Sequence, residues 1–146
     1  MKTQTYISLL FLSLFISCTH KEASPKPNIV IIYADDLGYG DISANGFNTL
    51  KTPNIDKLAN EGVRFLNGYA SSATCTPSRY ALLTGEYPWK NKKAKILPGT
   101  APMLIRQDQM TIPKMLKTKG YHTGIVGKWH LGLGSGNVNW NELVSP

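Results

Sequence analysis

The sequence predicts an α/β fold with a central, mostly parallel β-sheet. Short apolar runs that suit buried strands alternate with segments whose ends carry helix-start and helix-stop residues. The first run, Asn28–Tyr33, is continuous in Ile and Val rather than alternating, as expected for a strand with both faces buried. Parallel strands need a crossover connection, which is usually a helix. The alternation of strand and helix patterns therefore predicts the α/β class.

Three helices are predicted from the residues at their ends. Each begins at a threonine or proline, and a glycine follows its last residue. In the second helix, Thr76 is the predicted cap and Pro77 the first helical residue, because the missing N–H of proline costs nothing there. The three helical segments are residues 53–60, residues 77–84 and a segment between Thr111 and Gly120.

Two further strands and a long connection complete the predicted organisation. The strands are residues 63–69 and 121–126. Residues 86–110 show no clear period and are predicted to be a long surface excursion. In parallel α/β sheets, ligands bind beyond the carboxyl ends of the strands. Asp35 and Asp36 follow the first strand, and Lys128 and His130 follow the last, so these four side chains are candidates for a site.

The composition is that of one modest globular domain with a basic surface. The chain has 146 residues, 42% hydrophobic content and a formal net charge of +7. A basic surface favours polyanions in general, so charge alone allows sulfated glycan, nucleic acid or anionic membrane. No nucleic-acid-binding motif accompanies the charge, so no nucleic-acid partner is predicted. The lysines of residues 90–95 form either a solvated loop or a substrate patch.

Residues 1–17 are predicted to be an export signal, and residues 18–27 a tether. Residues 7–16 form an apolar run that is too short to span a bilayer and suits a signal peptide. A small residue precedes Cys18, which resembles the lipidation site of bacterial lipoproteins. We therefore expect an exported lipoprotein, in the periplasm or at the outer membrane or cell surface, that touches membrane only through a lipid anchor. Ordinary secretion and a disulfide between Cys18 and Cys75 are the alternatives.

Residues 73–85 predict an anion-binding site built around a cysteine. Cys75 lies just before a proline-opened helix, which places unpaired N–H groups and the positive end of the helix dipole near the thiol. Arg79 lies one turn into the helix and adds a planar, permanently charged group suited to an oxyanion. The adjacent carboxylates of Asp35 and Asp36 are hard oxygen ligands of the kind that calcium or magnesium prefers.

These segments resemble the formylglycine-dependent, cysteine-type sulfatases of the arylsulfatase family. Three stretches carry the resemblance in the family's order, namely residues 28–38, Cys-Thr-Pro-Ser-Arg with the following Leu-Leu-Thr-Gly, and residues 120–130. The resemblance implies an alkaline-phosphatase-like sulfatase sandwich, of which residues 28–146 would be the N-terminal portion of the catalytic domain. Family members are several times longer, so we expect a fragment or a truncated gene product that is inactive or poorly folded by itself.

The resemblance also implies that this is an enzyme, a sulfuric ester hydrolase that uses a modified cysteine and a metal ion. Cys75 would be oxidised to formylglycine by a maturation enzyme, a transient partner acting on the unfolded segment. One hydroxyl of the hydrated aldehyde would attack sulfur, and the other would later expel sulfate. A calcium or magnesium ion would be held by Asp35, Asp36, the modified Cys75 and a later Asp-Asn pair that these residues do not include.

Three further roles follow from the resemblance. Arg79 would hold the formylglycine hydrate, Lys128 would bind the sulfate group, and His130 would be the base that collapses the intermediate. The expected substrate is a sulfate ester, most simply on a glycan. Trp89, Trp129 and Trp140 are either sugar-stacking residues or part of the core.

Two other functions are compatible with the sequence. A phosphate or phosphonate ester hydrolase of the same superfamily would use a similar metal site, although Cys75 in place of a metal-bound Thr or Ser argues against it. A truncated, non-catalytic surface lipoprotein could instead bind anionic glycan through the lysines of residues 90–95.

Overall fold

The structure is a computed structural model that describes residues 25–47 and 49–133. The predicted export signal (residues 1–17), the lipidation position Cys18, most of the tether and Trp140 lie outside the described residues. Those predictions therefore stay predictions. Within the described ranges the longest helix has ten residues, and none is long and apolar enough to cross a bilayer.

The chain divides into two units, Met1–Ala34 and Asp35–Pro146. In the first unit, the described residues 25–34 are extended and contain neither a helix nor a β-ladder. Their apolar side chains are largely exposed, with Val30 at 81% and Ile32 at 87% of full exposure. This segment has the composition of a buried strand without the burial of one.

The three predicted strands are not formed in the described part of the chain. No β-ladder is present there, and the backbone at residues 28–33, 63–69 and 121–126 makes no strand pairing. Phe65 and Val126, in the other two runs, are also exposed, at 81% and 102%. A strand exists only through hydrogen bonds to a neighbouring strand, and the described residues place no neighbour beside these runs. The strand predictions are therefore wrong for this part of the molecule.

Helix α1 comprises Pro53–Glu61 and confirms the first predicted helix. Its start is fastened to the preceding loop by three side chains, Ser43, Thr52 and Asp56, which we call the Asp56 cluster. The Asp56 carboxylate accepts hydrogen bonds from Ser43 Oγ at 2.6 Å and from Thr52 Oγ1 at 3.0 Å. The Thr52 N–H donates to Ser43 Oγ at 2.9 Å. Hydroxyl groups thus satisfy a carboxylate at the helix N-terminus, where negative charge is favoured.

Helix α2 comprises Cys75–Thr84 and begins two residues earlier than predicted. Its N-cap is Thr74, so the prediction that Thr76 caps the helix is wrong. Pro77 is consequently the third helical residue, and it is tolerated because N–H groups of the first turn have no partner within a helix. The C-terminal end is as predicted, with Gly85 in the left-handed region at φ 70°.

Helix α3 comprises Ile112–Thr118 and confirms the third predicted helix. Its cap is also as predicted, since the Thr111 hydroxyl accepts a hydrogen bond from Lys114 N at 3.3 Å. Gly120 follows in the left-handed region at φ 78°. Helix α2 contacts both α3 and a 3₁₀ turn at Pro88–Lys90, so α2 is the centre of the second unit.

The core shows that residues 86–110 are more than a surface excursion. The buried apolar cluster consists of Tyr80, Ala94, Leu104, Ile105 and Leu131. Tyr80 comes from α2, whereas three of the five members come from the supposed excursion. Irregular segments bury single, unevenly spaced side chains, so they contribute to a core without producing a helical or strand period. The prediction of a purely surface segment is therefore wrong.

A close backbone contact holds the end of the described chain against this core. Hydrogen bonds of 2.8 and 3.1 Å join residues 101–104 to residues 131–133. Between them lies Gly132, with φ 84°, and a Cβ at this position would lie 2.0 Å from the carbonyl oxygen of Pro102. Only glycine fits such a contact. The contact anchors the segment that immediately follows Lys128 and His130.

Candidate active site

Cys75 occupies the first position of α2 and contacts a lysine from a distant part of the sequence. Nζ of Lys128 lies 3.2 Å from Cys75 Sγ. The thiol is free. Because Cys75 is the first residue of the helix, its backbone N–H is one of the groups that the helix leaves without an internal partner. The predicted proximity of Cys75 and Lys128 is therefore present.

Asp35 lies between two cationic side chains that the sequence analysis had selected. Its Oδ2 atom is 2.5 Å from Lys128 Nζ, and its Oδ1 atom is 3.3 Å from Arg79 Nη2. Arg79 also donates through Nη1 to the carbonyl oxygen of Lys128 at 2.6 Å. Asp35, Cys75, Arg79 and Lys128 thus form one contiguous group, which we call the Cys75 cluster.

The charges of the Cys75 cluster stabilise one another. The hydrogen bond from Lys128 is the main cause that lowers the pKa of Asp35, and Arg79 lowers it further. The pKa of Lys128 is raised, first by Asp35 and then by its hydrogen bond with Cys75. Two cations face one carboxylate, so with a neutral thiol the cluster keeps one excess positive charge. An additional anion is therefore favoured beside Cys75.

His130 lies next to this cluster in a constrained geometry. Its backbone is in the left-handed region, at φ 52°. Ring atom Nε2 is 2.8 Å from the carbonyl oxygen of Leu97. A carbonyl oxygen only accepts hydrogen bonds, so Nε2 carries the proton in the neutral ring. The other ring nitrogen, Nδ1, is buried and has no hydrogen-bond partner, which leaves it as the basic atom.

Asp36 is adjacent to the cluster in sequence, yet none of the described contacts links its carboxylate to Cys75. Its backbone is left-handed, with φ 56°, and its side chain is exposed. Among residues 25–47 and 49–133, no group of three or more His, Cys, Asp or Glu side chains is placed to hold a metal ion. The adjacent carboxylates of Asp35 and Asp36 suit a hard cation in kind, but they are too few to enclose one.

Two residues of the site were not anticipated from the sequence. Thr76 was interpreted as a helix cap, yet it is fully buried and its hydroxyl donates to the carbonyl oxygen of His130 at 2.8 Å. Leu97 lies in the supposed surface excursion, yet its carbonyl oxygen receives the His130 ring. No sequence pattern marks a backbone carbonyl as a binding partner, so the role of Leu97 could not have been found in advance.

Comparison with known proteins agrees with this geometry. The family model described as Sulfatase matches residues 27–140 of the chain. The chain belongs to the sulfatase family. It is 48% identical over 142 residues to an N-acetylgalactosamine-6-O-sulfatase of Bacteroides thetaiotaomicron, covering 92% of this chain and 28% of that relative. It is also 43% identical over 116 residues to mouse arylsulfatase G, covering 80% of this chain and 22% of that protein.

Two solved structures establish the fold. One is a sulfatase from a Bacteroides thetaiotaomicron locus for the metabolism of multiple glycosaminoglycans, with a TM-score of 0.74, 55% identity, and coverage of 75% of this chain and 23% of that one. The other was solved with its substrate D-glucosamine-2-N,6-O-disulfate, with a TM-score of 0.64, 40% identity, and coverage of 77% and 22%. The expected sulfatase family and fold are confirmed. The chain spans about a quarter of the length of these relatives.

Proposed function

We propose that this sulfatase chain contributes the nucleophile and the sulfate-binding cations for hydrolysis of a sulfate ester on a glycan. The observation that carries the proposal is the Cys75 cluster, in which a cysteine at the start of a helix contacts Lys128 within a group of excess positive charge. A sulfate ester is an anion whose reacting group develops negative charge on its oxygens. Fixed cations placed in advance stabilise such charge most effectively.

The nucleophile is proposed to be formylglycine derived from Cys75 by a separate maturation enzyme and an external oxidant. The hydrated aldehyde would supply a hydroxyl in place of the thiol, at the same position on α2. Lys128 would bind a sulfuryl oxygen, because its Nζ already lies 3.2 Å from the Cys75 side chain. Arg79 is only 12% exposed and is fixed by Asp35, so it would orient the modified residue rather than move with substrate.

His130 is proposed to be the base at this site, through Nδ1. Its Nε2 proton is committed to the Leu97 carbonyl oxygen, so Nδ1 is the ring atom able to accept a proton. A base that removes the proton of the second hydroxyl of the sulfated, modified Cys75 would let that oxygen re-form the aldehyde C=O bond. The C–O bond to the sulfate group would break in the same step, and sulfate would leave. Both nitrogens of the ring then have a task, one in anchoring the imidazole and one in proton transfer.

A calcium ion, or magnesium in its place, is proposed as the metal. Asp35 and Asp36 would supply part of its oxygen ligands together with the modified Cys75, and residues outside this chain would complete the shell. When bound, the metal would neutralise charge on the sulfate oxygens. The separation of Lys128 from Asp35, now 2.5 Å, is expected to increase when a cation approaches that carboxylate.

A sulfated glycan is the proposed substrate class. Two relatives are named or described by sulfated sugars, an N-acetylgalactosamine-6-O-sulfatase and a protein bound to glucosamine disulfate. On this chain, Tyr87 and Trp89 stack with ring centroids 4.0 Å apart, and both remain more than half exposed. The exposed lysines of residues 90–95 follow directly. Aromatic faces beside cations suit a sugar that carries negative groups.

The test is to express the full-length protein in its native host and to examine both modification and turnover. Mass spectrometry of the peptide containing Cys75 is expected to show the aldehyde, and an aryl sulfate is expected to be hydrolysed. Replacing Cys75 with Ala is expected to lower kcat by at least 1,000-fold with an unchanged melting temperature, since no nucleophile remains. Unmodified thiol in active protein would refute the formylglycine proposal.

The same preparation tests the remaining alternatives and the proposed location. Turnover of an aryl phosphate faster than the aryl sulfate would favour a phosphate ester hydrolase. Binding of sulfated oligosaccharide without turnover would favour the non-catalytic glycan-binding lipoprotein, for which the exposed lysines of residues 90–95 are the supporting observation. Export with lipidation of Cys18 is part of the proposal, and labelling with a fatty-acid analogue tests it against a Cys18→Ala control.

A further inference from the structure

We propose that Thr76 is a positioning residue that fixes both the place and the tautomer of the His130 imidazole. The inference rests on the proposed function, in which His130 Nδ1 accepts a proton, and it adds the group that holds the ring for that task. Thr76 has no exposed surface. Its hydroxyl donates to the His130 carbonyl oxygen at 2.8 Å and accepts from Leu97 N at 3.4 Å.

The Thr76 hydroxyl therefore contacts both the His130 backbone and the Leu97 backbone that holds the His130 ring. On one side, it bonds to the backbone of His130 itself. On the other side, it bonds to the backbone of Leu97, whose carbonyl oxygen receives Nε2 of the ring at 2.8 Å. These contacts join three segments that are 21 to 54 residues apart in sequence. Because Thr76 is on a helix, the hydroxyl is a rigid point to which the other two segments are tied.

The backbone conformation of His130 explains why the hydrogen bonds of Thr76 are needed. Its backbone is left-handed, at φ 52°, a conformation that a non-glycine residue adopts only when its surroundings enforce it. The segment after it is anchored at Gly132, but that contact does not reach the imidazole. Without the Thr76 hydroxyl, the Leu97 carbonyl would be free to move and Nε2 would lose its fixed acceptor. The proton could then lie on either ring nitrogen, and Nδ1 would no longer be reserved for proton transfer.

The variant Thr76→Val keeps the shape of the side chain and removes the hydroxyl, whereas Thr76→Ser keeps the hydroxyl. In the full-length protein, we expect Thr76→Val to lower kcat roughly 10- to 100-fold with KM within about twofold, as for a misplaced catalytic group. We expect Thr76→Ser to restore kcat to within about threefold of the parent. Rates are expressed per mole of aldehyde measured by mass spectrometry, because Thr76 adjoins the modified Cys75.

The matched control is Thr84→Val, on the same helix. The Thr84 hydroxyl also donates to a backbone carbonyl oxygen, that of Tyr80 at 2.7 Å, and also accepts from a backbone N–H, that of Glu86 at 3.2 Å. Each valine variant therefore loses one donated and one accepted hydrogen bond. Both melting temperatures are expected to fall, with the larger fall in Thr76→Val because Thr76 is fully buried and Thr84 is only partly buried. Only Thr76→Val is expected to lower kcat. An equal loss of kcat in both variants would show that the Thr76 effect is one of stability, which overturns the proposal.

Nitrogen-15 NMR of histidine-labelled protein gives a readout that is independent of activity. The parent is expected to show His130 in a single form protonated at Nε2, and Thr76→Val is expected to show both tautomers. A parent spectrum with the proton on Nδ1 would overturn the proposal even if the variants did not fold. If the parent hydrolysed no sulfate ester, the proposed function would fail, and the NMR result would still decide whether Thr76 controls the ring.

Discussion

Asp35 and Asp56 are two aspartates of one chain whose pKa values are lowered by different neighbours. Asp56 is held by the hydroxyls of Ser43 and Thr52, and the hydrogen bond from Ser43 is the main cause that lowers its pKa. Asp35 is held by ammonium and guanidinium groups, with Lys128 as the main cause. Both pKa values are lowered, mainly by neutral hydroxyl groups at Asp56, where the charge of Lys51 is the smallest contribution, and by cations at Asp35.

The comparison separates a structural carboxylate from one placed for chemistry. The partners of Asp56 lie 4 and 13 residues away, so they secure a local turn onto α1. Lys128 is 93 residues from Asp35, so the pair forms only when distant parts of the chain come together. The Cys75 cluster contains two cations for one carboxylate, whereas the three side chains of the Asp56 cluster include no cation. Perturbed groups that face a reactive side chain are the ones that indicate function.

The largest effect that tests this distinction is expected from Asp35→Asn in the full-length protein. Removing the carboxylate frees Lys128 and Arg79 from their shared anchor and removes a proposed metal ligand. We expect kcat/KM for an aryl sulfate to fall roughly 100- to 1,000-fold, as for the loss of one preorganised electrostatic group. The matched variant Asp56→Asn is expected to retain activity within about threefold. Equal losses of activity in the two variants would remove the proposed difference between the clusters.

A smaller effect, a loss of stability rather than of activity, is expected from Asp56→Asn. Asp56→Asn leaves the hydroxyls of Ser43 and Thr52 with a weaker acceptor, so the melting temperature of the full-length protein should fall by a few degrees. Asp108→Asn is the control, because Asp108 is 77% exposed and forms its ion pair with Arg106, which is also exposed. Its melting temperature should be unchanged. A fall of the same size in both variants would mean that the Asp56 cluster has no special role.

The pH dependence of stability should reveal the contribution of the lowered pKa of Asp56. The pKa of Asp56 is lower in the folded chain than its ordinary value of 3.8. Its contribution to stability is therefore fully present above that value and is lost as the pH falls through the folded pKa. Melting temperatures measured from pH 7 down to about pH 2.5 should fall less steeply for Asp56→Asn than for the parent. Parallel curves would indicate that folding does not change the pKa of Asp56.

The smallest expected effect is that added salt changes the pKa of Asp35 more than the pKa of Asp56. Asp35 and Lys128 are 33% and 44% exposed, so added salt should screen their attraction. Carbon-13 NMR titrations in about 0.05 M and 1 M NaCl are expected to show the pKa of Asp35 rising toward its ordinary value. The pKa of Asp56 should move less, because neutral hydroxyl groups are the main donors to it and the charge of Lys51 contributes least. Equal movement of both would contradict the ionic origin assigned to Asp35.

Local features of the fold were predictable from the sequence, and long-range pairing was not. The Thr-Pro start of α1 and the Thr111 cap of α3 act within one helical turn, so short patterns predict them. The start of α2 was misplaced because Pro77 is allowed anywhere in the first turn, and Thr74 and Thr76 are equally good caps by residue type. The apolar runs predict surface that needs burial, but a run does not contain its pairing partner.

In the candidate site too, some features were predictable from the sequence and others were not. Cys75, Arg79, Lys128 and Asp35 were selected from the sequence because their chemistry is in their side chains, and the structure brings them together. The anchor of His130 was not predictable, because it consists of backbone atoms and a hydroxyl that has several possible partners. Residue types alone predict roles for ionisable groups, but they do not identify the neutral groups that position them.

The residues that follow Cys75 are buried in the folded chain, so an enzyme that modifies Cys75 would have to act before they are buried. Packing of α2 buries the three residues after the cysteine, Thr76, Pro77 and Ser78. Lys128, which contacts the thiol, is 53 residues further along the chain. Ribosomes add roughly 5–20 residues per second, so about 3–10 s separate the synthesis of the cysteine from that of the lysine. A slower-folding variant would keep this interval open for longer. The yield of modified cysteine would then depend on whether the maturation enzyme acts faster than this chain folds.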